Sequence, residues 1–162
     1  MAPFTIEPCT AEDGPNVARN NMIAFWTDPA WVLMWKGRTL DYVIQQASLR
    51  GPKNLLTDRA RRRHQKAVDS KSGAIIGYAR WVLPNAACPE HYWSAARVPE
   101  VTEEQQNDAE TKYNHANWSF DRTLDELDDE ILKVKERLLE GRDYLRKWCL
   151  RILVPESSYG AR

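Results

Sequence analysis

Residues 64–84, HQKAVDSKSGAIIGYARWVLP, restrict the possible folds more than any other stretch, because they predict a β-hairpin. Its arms are residues 65–68 and residues 74–83, and Pro84 ends the second arm because proline has no N–H for the ladder. Asp and Ser side chains bond nearby backbone groups, and Gly accepts a positive φ. The turn formers between the arms are Asp69, Ser70, Ser72 and Gly73.

The second arm of the hairpin carries bulky apolar groups on both faces. Side chains alternate between the two faces of a strand. One predicted face carries Ile76, Tyr78, Arg80 and Val82. The other carries Ile75, Gly77, Ala79, Trp81 and Leu83. This pattern predicts a central strand that is covered on both sides. Gly77 in mid-strand indicates either a close approach by a ligand or neighbouring backbone, or a twist or bulge in a core strand.

Length and charge narrow the class of protein. A chain of 162 residues predicts one domain, 1–162, that buries about 70% of its unfolded surface. Basic and acidic residues both number 23, which disfavours a general nucleic-acid binder, because that affinity comes mainly from released counterions. No signal peptide is evident, and no apolar run approaches the ~20 residues of a membrane helix. We therefore expect a cytoplasmic or nuclear protein with no membrane partner.

The cysteines argue for a reduced chain. Cys9, Cys88 and Cys149 are an odd number and lack the spacing of metal ligands, so they predict an intracellular protein rather than a disulfide framework. Cys88 and His91 are three residues apart, but zinc needs about four ligands and no second pair is evident. We expect no metal.

Capping signals predict where the helices begin. A short strand over residues 4–8 precedes the first of them. The signals lie at residues 10–13, 27–29, 39, 102–105 and 123–126. Gly37 is expected to end the second helix and residues 51–52, Gly-Pro, the third. A further helix is predicted over residues 54–63, leading into the hairpin.

The clearest helical periodicity lies in residues 124–138. Its apolar stripe is Leu124, Leu127, Ile131, Val134 and Leu138. Acidic residues crowd its start and basic residues its end, as the helix dipole favours. The stripe predicts packing on the core, or on a partner helix along a short heptad seam. Another strand is predicted over residues 148–154, ended by Pro155.

The order strand, helices, hairpin, helices, strand predicts an α/β or α+β fold with a mainly antiparallel sheet flanked by helices. Residues 6–26, IEPCTAEDGPNVARNNMIAFW, resemble the first strand and helix of the GNAT superfamily of N-acetyltransferases. Residues 64–84 resemble its second and third strands, and the ending IGYARWVLP is similar to GNAT-domain proteins of filamentous fungi. The resemblance implies a helical insertion over about residues 101–141, before the fourth strand.

The resemblance also implies acetyl-CoA as co-substrate. In GNAT proteins the pantetheine arm bonds to the backbone of the fourth strand, and the N–H groups of a Gly-rich loop at a helix start hold the pyrophosphate. The corresponding cofactor-binding residues here are Ile152, Leu153, Val154, Tyr159, Gly160, Ala161 and Arg162.

The sequence departs from the family pattern within this loop. After Arg162 the family continues with the rest of the loop, a fifth strand and, in much of the family, a tyrosine that protonates the leaving thiolate. We expect an N-terminal portion of the fold with its C-terminal part missing, and weak binding of acetyl-CoA by this portion alone. The open strand edge at residues 149–154 predicts pairing with a second copy, as a homodimer, or with a complementing C-terminal segment.

Candidates for the acceptor site follow from the same resemblance, since GNAT acceptors enter near the first two helices. They are Trp26, Trp31 and Tyr78, with Trp35 nearby. Tryptophans at helical spacing are also typical of a core. Glu156 is a candidate general base, or a solvated turn carboxylate. The basic run over residues 59–64 predicts either a solvated helix face or a contact with phosphate or an acidic partner.

The leading interpretation is an acetyl-CoA-dependent N-acetyltransferase, or the N-terminal fragment of one. It would transfer acetyl to a primary amine of a small molecule or peptide by direct attack. The alternative is a non-catalytic scaffold of the same fold that acts as a protein-interaction module through the helix at residues 124–138.

Overall fold

The computed structural model describes residues 3–84, 92–120, 125–140 and 146–152. The strands are β1 (Phe4–Pro8), β2 (Arg62–Asp69), β3 (Ile75–Val82) and β4 (Arg146–Ile152). The helices are α1 (Gly14–Phe25), α2 (Pro29–Met34), α3 (Leu40–Leu56), α4 (Glu103–His115) and α5 (Asp125–Leu139). Short 3-10 turns occupy Ala11–Asp13 and Ser94–Ala96. The mixed helical and strand content confirms the predicted α+β class, and α4 and α5 lie between β3 and β4 in the chain.

The four strands form one antiparallel sheet in the order β1-β2-β3-β4. β3 pairs with β2 on one side and with β4 on the other, so the predicted central strand is confirmed. β2 begins at Arg62 rather than at Gln65, and β4 begins at Arg146 rather than at Trp148. Among the described strands, β1 and β4 are the edges.

The hairpin turn has the predicted chemistry. The Asp69 carboxylate accepts hydrogen bonds from the backbone N–H groups of Ser72, at 2.7 Å, and Lys71, at 3.0 Å. The Ser72 hydroxyl donates to the same oxygen at 2.8 Å. Led by the Ser72 backbone bond, these contacts hold the pKa of Asp69 below its ordinary value. Gly73 has a φ of 70°, in the left-handed region that glycine tolerates best.

A bulge in β3 changes the predicted faces. Ala67 pairs with Gly77 but Val68 pairs with Ile75, so β3 has one extra residue there. Ile75 therefore packs against the buried cluster that contains Tyr78, and not on the face of Trp81 as the simple alternation predicts. Gly77 adjoins this bulge, which agrees with the bulge interpretation of that glycine.

The two faces of the sheet are covered unequally. On one face Tyr78 joins Cys9, Val17, Leu55 and Val98 in a cluster under α1 and α3. On the other face Ala79 is buried, whereas Trp81 is half-buried with its ring 5.7 Å from that of Trp93. The predicted cover on both sides of β3 is thus complete only under the helices.

Three predicted helix starts show the expected caps. The side chains of Asp28 and Thr39 accept hydrogen bonds from the backbone N–H groups of Ala30 and Tyr42. The capping box that begins α4 pairs Thr102 with Gln105 in both directions. Each cap satisfies a backbone group that has no partner inside the helix.

The prediction that residues 51–52 end α3 is wrong. The helix continues through Gly51 and Pro52 to Leu56, and no separate helix covers residues 54–63. Pro52 removes one backbone donor from α3. The helix persists because its buried face, which includes Val43 and Leu55, packs on both sides of the proline.

The prediction that α5 packs on the core is also wrong for the side chains that the structure describes. Ile131 is 66% exposed, Leu138 63% and Val134 46%, and no other described element packs extensively against the helix. The side chains of Leu124 and Leu127 lie outside the described part. The second cluster is instead built from α1, α2 and α3. It contains Ala18, Met22, Trp35, Val43 and Ala47.

A search of the described helices for a membrane-spanning segment found none that is long and apolar enough to cross a bilayer.

Candidate functional site

Two glycines bring α1 and α3 into direct backbone contact. A Cβ built on Gly51 would lie 2.3 Å from the carbonyl oxygen of Gly14. A Cβ built on Gly14 would lie 2.4 Å from the backbone nitrogen of Pro52. Both distances are far shorter than a non-bonded contact, so only glycine fits at either position. This crossing fixes the separation of the two helices above β3.

A cavity of about 360 Å³ lies between α1, α3 and β3. Small-molecule sites typically measure about 300–1,000 Å³, so the volume suits a small ligand. Its apolar wall includes Val17, Met22, Trp31, Leu55 and Trp118. Its polar side chains are Asn21, Arg50, Asn54, Tyr78 and Arg80. Within the described lining there is no Asp or Glu, so the charge of the cavity wall is positive.

Tyr78 is held at the cavity wall by a buried histidine. Its hydroxyl group lies 2.7 Å from Nδ1 of His64, and the two rings stack with centroids 5.9 Å apart. Burial, together with the positive charges of Arg80, Arg62 and Arg63, lowers the pKa of His64 to about 3. The imidazole is therefore neutral at pH 7, and its hydrogen bond fixes the orientation of the phenol.

Arg50 is anchored by contacts with two aromatic side chains. Its Nη2 donates to the Tyr113 hydroxyl at 2.6 Å. The guanidinium carbon also lies 4.1 Å from the ring centroid of Tyr113 and 4.9 Å from that of Trp118. Such cation–π contacts and a rigid donor fork suit arginine to the recognition of planar anions. α4 thus contributes to the site through Tyr113, although it does not line the cavity.

The acceptor-site candidates from the sequence fall into two groups, those that line the cavity and those that do not. Trp31 and Tyr78 both line the cavity, from α2 and β3 respectively. Trp26 is not among the described lining residues, and it packs against the cluster around Trp35. Trp35 is 2% exposed, so its role is the core role that helical spacing also indicated.

The predicted cofactor residues lie mostly beyond the described part of the chain. Ile152, the last residue of β4, pairs with Gly77 on β3. Six of the predicted cofactor residues fall outside the described residues: Leu153, Val154, Tyr159, Gly160, Ala161 and Arg162. Glu156, Cys88 and His91 fall outside them as well.

The helix-face interpretation of the basic run is wrong, because no helix covers it and Arg59, Arg61 and Arg63 bind the chain's own backbone. Arg63 is 0% exposed. It donates to the carbonyl oxygens of Tyr92, Trp93, Arg59, Ala60 and Arg62. Arg59 donates to the carbonyl of Val98 at 2.9 Å, and Arg61 to that of Leu83 at 3.4 Å. These bonds tie the segment after the hairpin to the start of β2.

Cys9 does not offer a nucleophile. The thiol is fully buried, and burial followed by the nearby Asp13 carboxylate raises its pKa to about 12, against a smaller opposing effect of Lys66. Since the thiolate is the reactive form, the residue is inert at neutral pH. The described residues also contain no group of His, Cys, Asp and Glu side chains that could hold a metal ion.

Sequence reasoning missed Arg50, Asn21 and Asn54. Arg50 and Asn54 are four residues apart, and so lie on one side of α3, next to the buried row of Ala47, Gly51 and Leu55. The small residues Ala47 and Gly51, four positions apart, were the available signal that another helix passes closely there.

Comparisons of the chain with family models, curated proteins and solved structures found no match.

Proposed function

We propose that this chain is an acetyl-CoA-dependent N-acetyltransferase of the GNAT type, or a fragment of one. One observation carries the proposal. Tyr78, which lines the cavity, pairs across the sheet with Arg151 of β4, the residue before Ile152. Neighbouring strands are about 4.8 Å apart. An amine in the cavity would therefore lie close to a thioester that runs along β4.

Irregular pairing of β4 supports the same assignment. The register shifts so that Ala79 pairs with Leu150 and Arg80 with Trp148, which leaves Cys149 as an extra residue. A bulge disrupts the ladder and leaves the extra residue unpaired, and such features are enriched next to active sites. β4 is also an edge among the described strands, so its outer side is available to a pantetheine arm or to another strand.

The chemistry needs little covalent help from the protein. The neutral amine attacks the thioester carbonyl carbon, the C–S bond breaks, and the thiolate leaves with the proton that the amine gives up. The cavity would hold the acceptor in place, and such positioning alone is worth about 7–11 kcal/mol in well-oriented reactions. Tyr78, fixed by His64, would orient the acceptor amine through its hydroxyl group. Glu156 remains the candidate general base.

The test uses the protein as its natural source encodes it. Calorimetry should detect binding of acetyl-CoA, and release of free thiol from acetyl-CoA should depend on added primary amines. Tyr78→Phe should raise KM for the amine while leaving acetyl-CoA affinity unchanged, and Tyr42→Phe, outside the cavity, should change neither. Absence of acetyl-CoA binding by the natural protein would refute the proposal.

A second candidate, a protein-interaction module, is favoured by the exposed apolar face of α5. Ile131, Val134, Leu138 and Leu139 line a surface groove there. Residues 125–130 contain five acidic and no basic side chains, whereas residues 133–137 contain three basic and one acidic. Two copies of α5 packed antiparallel would bring each acidic half against a basic half, in a self-complementary interface. The partner we propose is therefore a second copy of this chain.

Sedimentation over a range of protein concentration distinguishes this candidate. The chain should self-associate, and more weakly as salt rises. Ile131→Asp should keep it monomeric, whereas Glu136→Gln on the opposite side of the helix should not. A chain that stays monomeric at millimolar concentration and low salt has no such interface.

A further inference from the structure

We infer that the cavity between α1, α3 and β3 binds a small anion, a carboxylate or phosphate attached to an apolar body. The described lining includes two arginines, Arg50 and Arg80, and no carboxylate. Arg50 is half-buried, and charges attract each other more strongly near a protein surface than in bulk water. An anionic ligand in the cavity would therefore be attracted to Arg50.

The geometry of Arg50 suits an anionic ligand. The described residues place no carboxylate in an ion pair with it. One of its five donors is committed to the Tyr113 hydroxyl. That bond and the two ring contacts hold the side chain in a fixed position. A pre-positioned guanidinium loses little entropy on binding, and its fork matches carboxylate or phosphate with two parallel hydrogen bonds.

The remaining wall defines the rest of the ligand. Trp31 and Trp118 offer aromatic surfaces, and Met22 and Leu55 offer aliphatic ones. A ligand with a flat apolar body next to its anionic group would fill this space. Where it rests on the proposed acetyl transfer, the inference names the acceptor class: a primary amine that also carries an acidic group, as an amino acid or an amino phosphate does.

Binding of simple probes tests the site without any transfer chemistry. We suggest titrating the natural protein with 3-phenylpropionate, phenyl phosphate and the neutral 3-phenylpropanamide. A charge-assisted hydrogen bond predicts that one of the anions binds about 10- to 100-fold more tightly than the amide. Preference for the carboxylate or for the phosphate identifies which anion the site takes. Equal binding of all three, or binding of none, overturns the inference.

Matched variants locate the binding. Arg50→Met should remove the preference for anions, whereas Arg38→Met, at an exposed arginine that also lies over a tyrosine ring, should retain it. If Arg50→Met does not fold, the comparison of anion with amide on the unmodified protein still decides. Retention of the full preference by folded Arg50→Met would overturn the assignment.

The outcome separates this inference from the proposed function. Anion binding without acetyl transfer would support the anion site and refute the proposal that the protein is an acetyltransferase. Transfer to neutral and acidic amines at equal kcat/KM would support the acetyltransferase and refute the acceptor class.

Discussion

Replacing Gly51 by alanine sets two physical effects against each other. In an ordinary helix interior the change should stabilise the fold by about 0.5–1 kcal/mol, because alanine restricts the unfolded chain more than glycine does. Here the added Cβ would lie 2.3 Å from the Gly14 carbonyl oxygen and 2.4 Å from its carbonyl carbon. Both are backbone atoms that cannot rotate away. α1 would have to move.

The expected net effect is a loss of stability. Overpacking of this kind typically costs about 1–3 kcal/mol, and the gain in helix propensity offsets part of it. We therefore expect Gly51→Ala to lower the free energy of unfolding by about 1–2 kcal/mol. For a chain of this length that corresponds to a fall in Tm of about 2–8 °C.

Urea denaturation followed by far-UV circular dichroism measures this change. Gln45→Ala, at an exposed position of α3, is the matched control for helix propensity, and it should leave stability unchanged or raise it slightly. Gly14→Ala should resemble Gly51→Ala, since the two residues share one contact. If Gly51→Ala is as stable as the parent chain, the helices do not approach this closely, and the cavity between them has a different shape.

Three further changes test other parts of the fold. Burial lowers the pKa of His64 from 6.5 to about 3. Between these pH values His64 binds a proton in the unfolded chain but stays neutral in the folded chain. The contribution of His64 to stability should be fully present above about pH 6.5 and be lost at about 1.4 kcal/mol per pH unit between about pH 6 and about pH 3, a slope that His64→Asn removes and His115→Asn keeps. Trp81→Ala should cost about 2–3 kcal/mol in urea denaturation, less than the loss of a fully buried aromatic because the ring is half-buried, and a cost below about 1 kcal/mol would contradict its contact with the hairpin core. Arg63→Met should cost about 2–4 kcal/mol, because it leaves buried carbonyl groups without donors, whereas Arg62→Met, at a partly exposed position, should cost less; equal costs would show that the carbonyl contacts contribute little.

The features predicted correctly from the sequence are those that depend on residues close together in the chain. The turn at Asp69 and Gly73 and the caps at Asp28, Thr39 and Thr102 were readable because each depends on residues within one turn of chain. The alternation of β3 also predicted its central position. The bulge at Ile76 could not be predicted, because it is set by the register of two strands.

Contacts between distant parts of the chain explain the predictions that were wrong. Gly51-Pro52 is a strong local stop signal, yet α3 continues, since Gly51 is needed for the close approach to Gly14. Arg63 belongs to a run that suggested a charged surface, but the carbonyl groups that surround it come from segments up to 30 residues away. The Arg63 contacts leave no trace in the local pattern, whereas the four-residue spacing of Ala47 and Gly51 is a local sign of the helix approach.

The candidate site was half-predictable for the same reason. Trp31 and Tyr78 were expected near an acceptor, and both line the cavity. Arg50 was not, because its fixed position depends on Tyr113, which is distant in sequence.

The net charge of the whole chain does not predict the charge of the cavity. Equal numbers of basic and acidic residues argue against a nucleic-acid partner, which needs a long positive surface. A small anion responds only to charges within about one Debye length, roughly 8 Å at physiological salt. The described cavity wall contains Arg50 and Arg80, while the acidic residues 125–130 lie on a separate helix. A neutral chain can therefore hold a positive cavity and a self-complementary helix at once, and the anion probes and the sedimentation experiment test these two features separately.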